Sequence, residues 1–164
     1  MKVAVTYENG EVFQHFGRTP QFKIYEIENG EVKSSRVIDT GETGHGALAG
    51  FLQEEGANVM ICGGIGGGAI NAMAESGIKV YAGASGNADE VIKSYLAGTL
   101  AEVGEENIIK RIGGRQDVKT HLENLGFVVG GTVKVINAIG GNVIVCVKES
   151  RIAISKEMAQ KIMV

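Results

Sequence analysis

Five glycines in six positions, Gly63, Gly64, Gly66, Gly67 and Gly68, punctuate the middle of this chain. They follow the apolar run Val59-Met60-Ile61-Cys62 and precede Ala69-Ile70-Asn71-Ala72-Met73-Ala74, which opens as a helix. A strand handed to a helix through so much glycine leaves backbone N–H groups open at the helix mouth, a setting that suits an anion or a polar cluster. Close packing of strand on helix asks for the same residues, so both readings stand at this point. The Lys-Ser/Thr ending of a nucleotide-phosphate loop is missing.

Around that joint the chain reads as a mixed sheet covered by helices. Val3 and Val5 start a strand, and Glu8-Asn9-Gly10-Glu11 turns it. Residues 13–20 place His15 between Phe13 and Phe16 and close through Arg18-Thr19-Pro20. Residues 22–27 alternate at period two and pair across Glu28-Asn29-Gly30-Glu31 with residues 32–38, an antiparallel hairpin. A polar loop, residues 39–46, leads to a helix over 47–56 with Leu48, Phe51 and Leu52 on one side. Residues 78–81 form the next strand, followed by a second glycine turn, Gly83-Ala84-Ser85-Gly86, and a helix that Asn87 caps. Strand, helix, strand, helix at this spacing implies parallel strands with right-handed crossovers.

Near residue 105 the pattern changes. Residues 115–123 read as a helix, residues 132–136 and 142–147 as strands joined through 138–141, and Ser155 as the cap of a last turn. Several short strands in some sixty residues can close as a small barrel. The charge divides there too. Residues 1–104 carry 7 Lys/Arg against 13 Asp/Glu, a net of −6, and residues 105–164 carry 9 against 6, a net of +3.

That modest positive balance, with 5% aromatics and no Trp, is a poor basis for a nucleic-acid surface. No apolar stretch approaches a membrane span, and the first residues turn polar too soon for a signal peptide, so the expectation is a soluble cytoplasmic protein. Cys62 and Cys146 each sit inside a β-branched apolar run and read first as buried core thiols. His15, His45 and Cys62 all fall in loops or at a strand's C-terminal end, where ligands gather in open α/β sheets, and each is a candidate metal ligand. No C-x-x-C or H-E-x-x-H spacing supports a closed zinc site. Cys62 in apolar surroundings, Ser85 without a nucleophile-elbow context and Asp39 without a second carboxylate argue against an enzyme. His121 reads as surface. Two glycine turns, each after a parallel strand, belong side by side, with Arg18 and His45 able to bring a guanidinium and an imidazole to the same rim.

Residues 1–103 resemble the dinitrogenase iron-molybdenum cofactor-binding family. The resemblance runs through residues 1–5, His15-Phe-Gly-Arg-Thr-Pro20, residues 22–29, Gly44-His45-Gly46, residues 59–68 and residues 78–86. It implies a ribonuclease-H-like α/β/α fold without nuclease residues and the binding of an iron-sulfur or iron-molybdenum type cluster. Carried over residue by residue, it touches His15, Arg18, His45 and the turns holding Gly63, Gly64, Gly66, Gly67, Gly83, Ser85 and Gly86. Residues 107–164 resemble the FeoA family of ferrous-iron transport accessory proteins, small SH3-like barrels. That resemblance runs through residues 122–127, 130–135, 142–147 and 150–154 and a terminal helix over 156–162, with Val129 where the family usually has Pro. It implies no catalysis and a protein partner, such as a membrane ferrous-iron transporter or a metallocluster assembly protein. Together the resemblances imply non-catalytic handling of iron, a cluster or a small anion. The alternative is a protein-interaction or regulatory module linked to ferrous iron transport, with nothing bound.

Overall fold

A computed structural model describes residues 1–41, 47–98, 100, 102–139 (Ile139 by its backbone) and 142–164. In chain order the first part holds β1 (Lys2–Glu8), β2 (Glu11–Val12), a 3-10 turn (Phe16–Arg18), β3 (Gln21–Glu28), β4 (Glu31–Asp39), α1 (Leu48–Glu54), β5 (Val59–Ile61), α2 (Gly67–Glu75), β6 (Lys79–Tyr81) and α3 (Ala88–Leu96). Its sheet runs β4-β3-β1-β5-β6, with β2 added to β1. β3 is antiparallel to β1 and β4, whereas β1, β5 and β6 are mutually parallel, so the mixed sheet expected from the pattern is the one that forms.

Local chemistry accounts for much of this. Asn9-Gly10 and Asn29-Gly30, all at positive φ, close the two hairpins. Asn87 Oδ1 accepts the amides of Asp89 and Glu90 at 2.9 and 3.1 Å and starts α3. The sheet separates two apolar layers. Ala4, Phe22, Ile24, Met60 and Cys62 face α1 and α2, and Val3, Val5, Tyr25, Val59 and Ile61 face α3. Alternation along each strand delivers this split.

One polar cluster ties α3 to the sheet. Asp89 Oδ1 accepts from the Tyr25 hydroxyl at 2.6 Å and from Lys23 Nζ at 2.8 Å. The hydrogen bond from Lys23, then that from Tyr25, holds the Asp89 carboxyl below its ordinary range. Burial, with Asp89 second, pushes Tyr25 above its own. A depressed folded-state carboxyl stabilises above its unfolded pKa, roughly 3.9, and that contribution fades as pH falls through the folded value. Asp89→Asn should therefore lower the urea midpoint at pH 7, with the gap to the unaltered protein narrowing towards pH 3. A gap that stays constant with pH would show that the carboxylate charge is irrelevant there.

The second part holds β7 (Glu106–Ile108), β8 (Arg111–Ile112), α4 (Gln116–Leu125), β9 (Thr132–Ile139), β10 (Asn142–Val147), β11 (Ser150–Ser155), α5 (Lys156–Ala159) and β12 (Ile162–Met163). A four-stranded sheet, β11-β10-β9-β7, packs Val133, Val135, Val143, Val145 and Ile154 with Leu122 and Phe127. β8 and β12 pair separately, and no barrel closure is seen among the described residues. The terminal helix expected over 156–162 stops at Ala159, because the chain then extends to pair Ile162 with Ile112 and Met163 with Arg111.

The two parts are stitched together. Val103 donates to Val80 O and Gly104 donates to Val135 O, each at 2.8 Å. Ala82 and Val103 pack against apolar clusters of both parts.

Candidate functional site

The glycine stretch divides into two kinds of glycine. Gly64 N donates to Gln14 O at 2.7 Å and Gly64 O accepts from Phe16 N at 3.0 Å, which lays the His15 segment alongside the turn as a bridge. A Cβ on Gly63 would come within 2.8 Å of the Gln14 Cα, and one on Gly64 would stand 2.8 Å from Gln14 O and 3.3 Å from Ala138 O. Backbone packing therefore requires glycine at both positions.

Gly66, Gly67 and Gly68 are different. All three are exposed, none has positive φ, and a Cβ on any of them would meet nothing within 4 Å. They form the N-cap and first residues of α2, which has no side-chain cap. Their amides meet no acceptor among the described residues. Three glycines where any residue fits cost roughly 0.5–1 kcal/mol each against alanine within a helix, less at its frayed start. Orphan N–H groups with the positive end of the helix dipole behind them are what an anion meets there.

The second glycine turn lies beside the first, as its position after β6 predicts. Gly83 N donates to Gly63 O at 2.8 Å and Ala84 N to Cys62 O at 3.1 Å. The Gln14 side-chain amide spans the region, donating to Val12 O and Ala84 O. Its Oε1 is buried against Gly63 with no hydrogen-bond partner, as is Oδ1 of Asn137 on β9. Such acceptors call for water or another donor, not for an anion.

The second part of the chain rests on this joint. Ile65 N donates to Ala138 O at 2.8 Å, forming a bridge to β9. Gly83, at φ +83°, would place a Cβ 2.8 Å from Val143 Cγ2 on β10. Gln160 donates to Ser85 Oγ at 2.5 Å. Lys156 lies within electrostatic reach of Cys62, and burial pulls its amine below the ordinary value.

The candidate residues therefore have different fates. His15 is exposed at the rim, its ring edge-on to Phe13. Arg18 is exposed at the end of the 3-10 turn. His45, with Gly44 and Gly46, lies outside the described residues. Cys62 is fully buried and its thiol is pushed up to about 12 by desolvation, so in this arrangement it presents no thiolate. Cys146, expected in the core, is only half-buried, because on β10 Val143, Val145 and Val147 take the inward positions and Cys146 alternates away. Gly86, at φ +88° with open space around it, accepts from Val12 N through its carbonyl. His121 is exposed, as expected.

No three His, Cys, Asp or Glu side chains gather among the described residues. What these residues offer a metal cluster is a row of amides and one open imidazole, a set that suits an anionic cluster held largely by hydrogen bonds. Gln14, Asn137 and Lys156 were not legible as members of this region. A polar residue between aromatics, one in a strand and one after a cap carry no local signal of it.

No helix among the described residues is long and apolar enough to cross a membrane. The chain is 38% identical over 105 residues to an uncharacterized protein of Methanocaldococcus jannaschii, covering 61% of this chain and 89% of that one. It is 41% identical over 65 residues to a protein of the same organism named for a proposed role in Fe(2+) transport, covering 40% and 79%. Among solved structures it is similar to the crystal structure of the protein PH0822, with 35% identity, a TM-score of 0.59 and coverage of 61% of this chain and 92% of that one. Residues 99–164 match the FeoA domain model. Residues 1–98 match the model described as dinitrogenase iron-molybdenum cofactor, and with more than half of its length inside that match the chain belongs to this family.

Proposed function

We propose that this chain is a non-catalytic iron-handling protein whose first unit, residues 1–103, holds an anionic iron-containing cluster at the mouth of α2. The supporting observation is the open triplet Gly66–Gly68, three glycines for which neither φ nor packing gives a reason, at an uncapped helix start two residues after Gly64, which the exposed His15 bridges. In this reading the α2 amides hydrogen-bond the cluster, His15 offers a ligand nitrogen, and Arg18 adds positive charge at the rim. His45 is included as a second imidazole on its sequence position alone. Gly63, Gly64 and Gly83 serve the site from behind, by letting strands and turns approach.

The second unit, residues 107–164, is proposed as an SH3-like module that contacts a protein partner, either a ferrous-iron transporter or a cluster assembly protein. Ile108 and Val129, 60% and 64% exposed, support a contact through this unit's surface. A second reading is favoured by the packing of Gly64 and Gly83 against the second unit. In it the glycine turns serve domain docking alone and nothing is bound.

Anaerobic reconstitution of the full chain with iron and sulfide separates the two. Stoichiometric iron by metal count, a cluster absorbance and weaker retention by His15→Ala are expected. Uptake of no metal or cluster would leave the docking-only reading. Cross-linking of the full chain in its native cell extract tests the partner, which Val129→Asp should release; unchanged partners would remove that half.

A further inference from the structure

A cavity of about 340 Å³ lies between the two units, distinct from the α2 mouth. It opens to solvent on one side, a cleft whose floor is made of the buried Val133, Val145 and Ile154. It falls at the lower end of the range that small-molecule sites occupy. Ala84 and Val91 line it from the first unit, and Val133, Val145, Ile154 and Met163 from the second. It therefore exists only while the units are docked.

We propose that this cavity is a binding site for a small aliphatic molecule with a single uncharged hydrogen-bonding head group. The wall chemistry selects that class. No Asp, Glu, Lys, Arg or His side chain lines the cavity, so a phosphate or carboxylate head gains no counter-charge there, whereas an uncharged head needs none. No aromatic ring lines it, so a flat base or ring gains no stacking partner, whereas branched aliphatic walls match an alkyl chain. The head group has a place as well. Ser85 and Gln160 both belong to the lining, and their mutual hydrogen bond joins a half-buried residue to an exposed one at the solvent side. A hydroxyl or amide entering there can exchange with that bond, keeping donors and acceptors paired.

Binding of this kind fastens the units together, because the occupant touches both. It is independent of the metal-cluster reading, since the probe and the readout involve no metal.

The experiment uses the metal-free full chain with a series of n-alkanols from butanol to decanol. Saturable stabilisation with a clear optimum in chain length is expected, together with methyl NMR shifts at Val91, Val145 and Met163. Ala159→Leu, which extends a side chain into the cavity, should weaken the alkanol affinity by about tenfold or more. Stabilisation without saturation, or equal binding by Ala159→Leu, would overturn the proposal. If Ala159→Leu fails to fold, the methyl shifts of the unaltered chain decide. Shifts confined to the cavity support the site, and shifts elsewhere or none overturn it.

Discussion

Gly83→Val should destabilise the full chain by about 2–5 kcal/mol. Two independent effects add. Gly83 has φ +83°, a left-handed conformation that costs a residue with a Cβ roughly 1–2 kcal/mol. The new side chain would also begin 2.8 Å from Val143 Cγ2, and Val143 is buried at 2% exposure. Overpacking of that sort costs about 1–3 kcal/mol. Urea unfolding checks the total. Val143→Ala in the same chain separates the parts, because it relieves the collision and leaves the backbone strain. Measured against Val143→Ala alone, the loss caused by Gly83→Val should shrink by about half, and a Gly83→Val midpoint equal to that of the unaltered protein would show that the docked arrangement of the units is wrong.

Gly67→Val should abolish cluster uptake while leaving the unfolding midpoint unchanged or raised. Valine at this position meets open space and an ordinary φ, and it is a better helix residue than glycine by a few tenths of a kcal/mol. Its branched side chain would nevertheless cover the amides at the α2 mouth. Gly64→Ala supplies the contrast three residues earlier. A single methyl there meets two backbone oxygens that cannot swing aside, and a loss of about 1–3 kcal/mol is expected. Reconstitution and urea unfolding on the two variants therefore separate ligand access from folding. Full iron uptake by Gly67→Val would remove the helix mouth from the proposed function.

Legibility in the sequence followed the range of the interaction. The β3–β4 hairpin could be read because alternation and Asn29-Gly30 lie within a few residues of each other. The start of α3 could be read because Asn87 caps amides two and three residues on. The pairing of β8 with β12 could not be read. Each strand has two residues, they lie some fifty positions apart, and neither carries a periodic pattern. For the same reason the chain's last helix was expected to run past Ala159. Cys62 and Cys146 occupied similar apolar runs, yet one is sealed and the other half-open. Which face of a strand turns inward depends on what packs against it.

The sequence by itself determined that a strand ending at Cys62, a glycine joint and a helix follow one another, and that a second glycine turn stands beside the joint, since periodicity, caps and turn residues act locally. The local pattern starts that helix at Ala69, whereas α2 begins at Gly67. Only the tertiary structure decided what each glycine is for. Gly64 is held to glycine first by Gln14 and then by Ala138, and Gly83 by Val143, residues fifty or more positions away in the chain. Gly66, Gly67 and Gly68 are left without any such neighbour. Steric contact between segments so distant leaves no trace in local pattern, and that contact separates the glycines that build the joint from those free to meet a ligand.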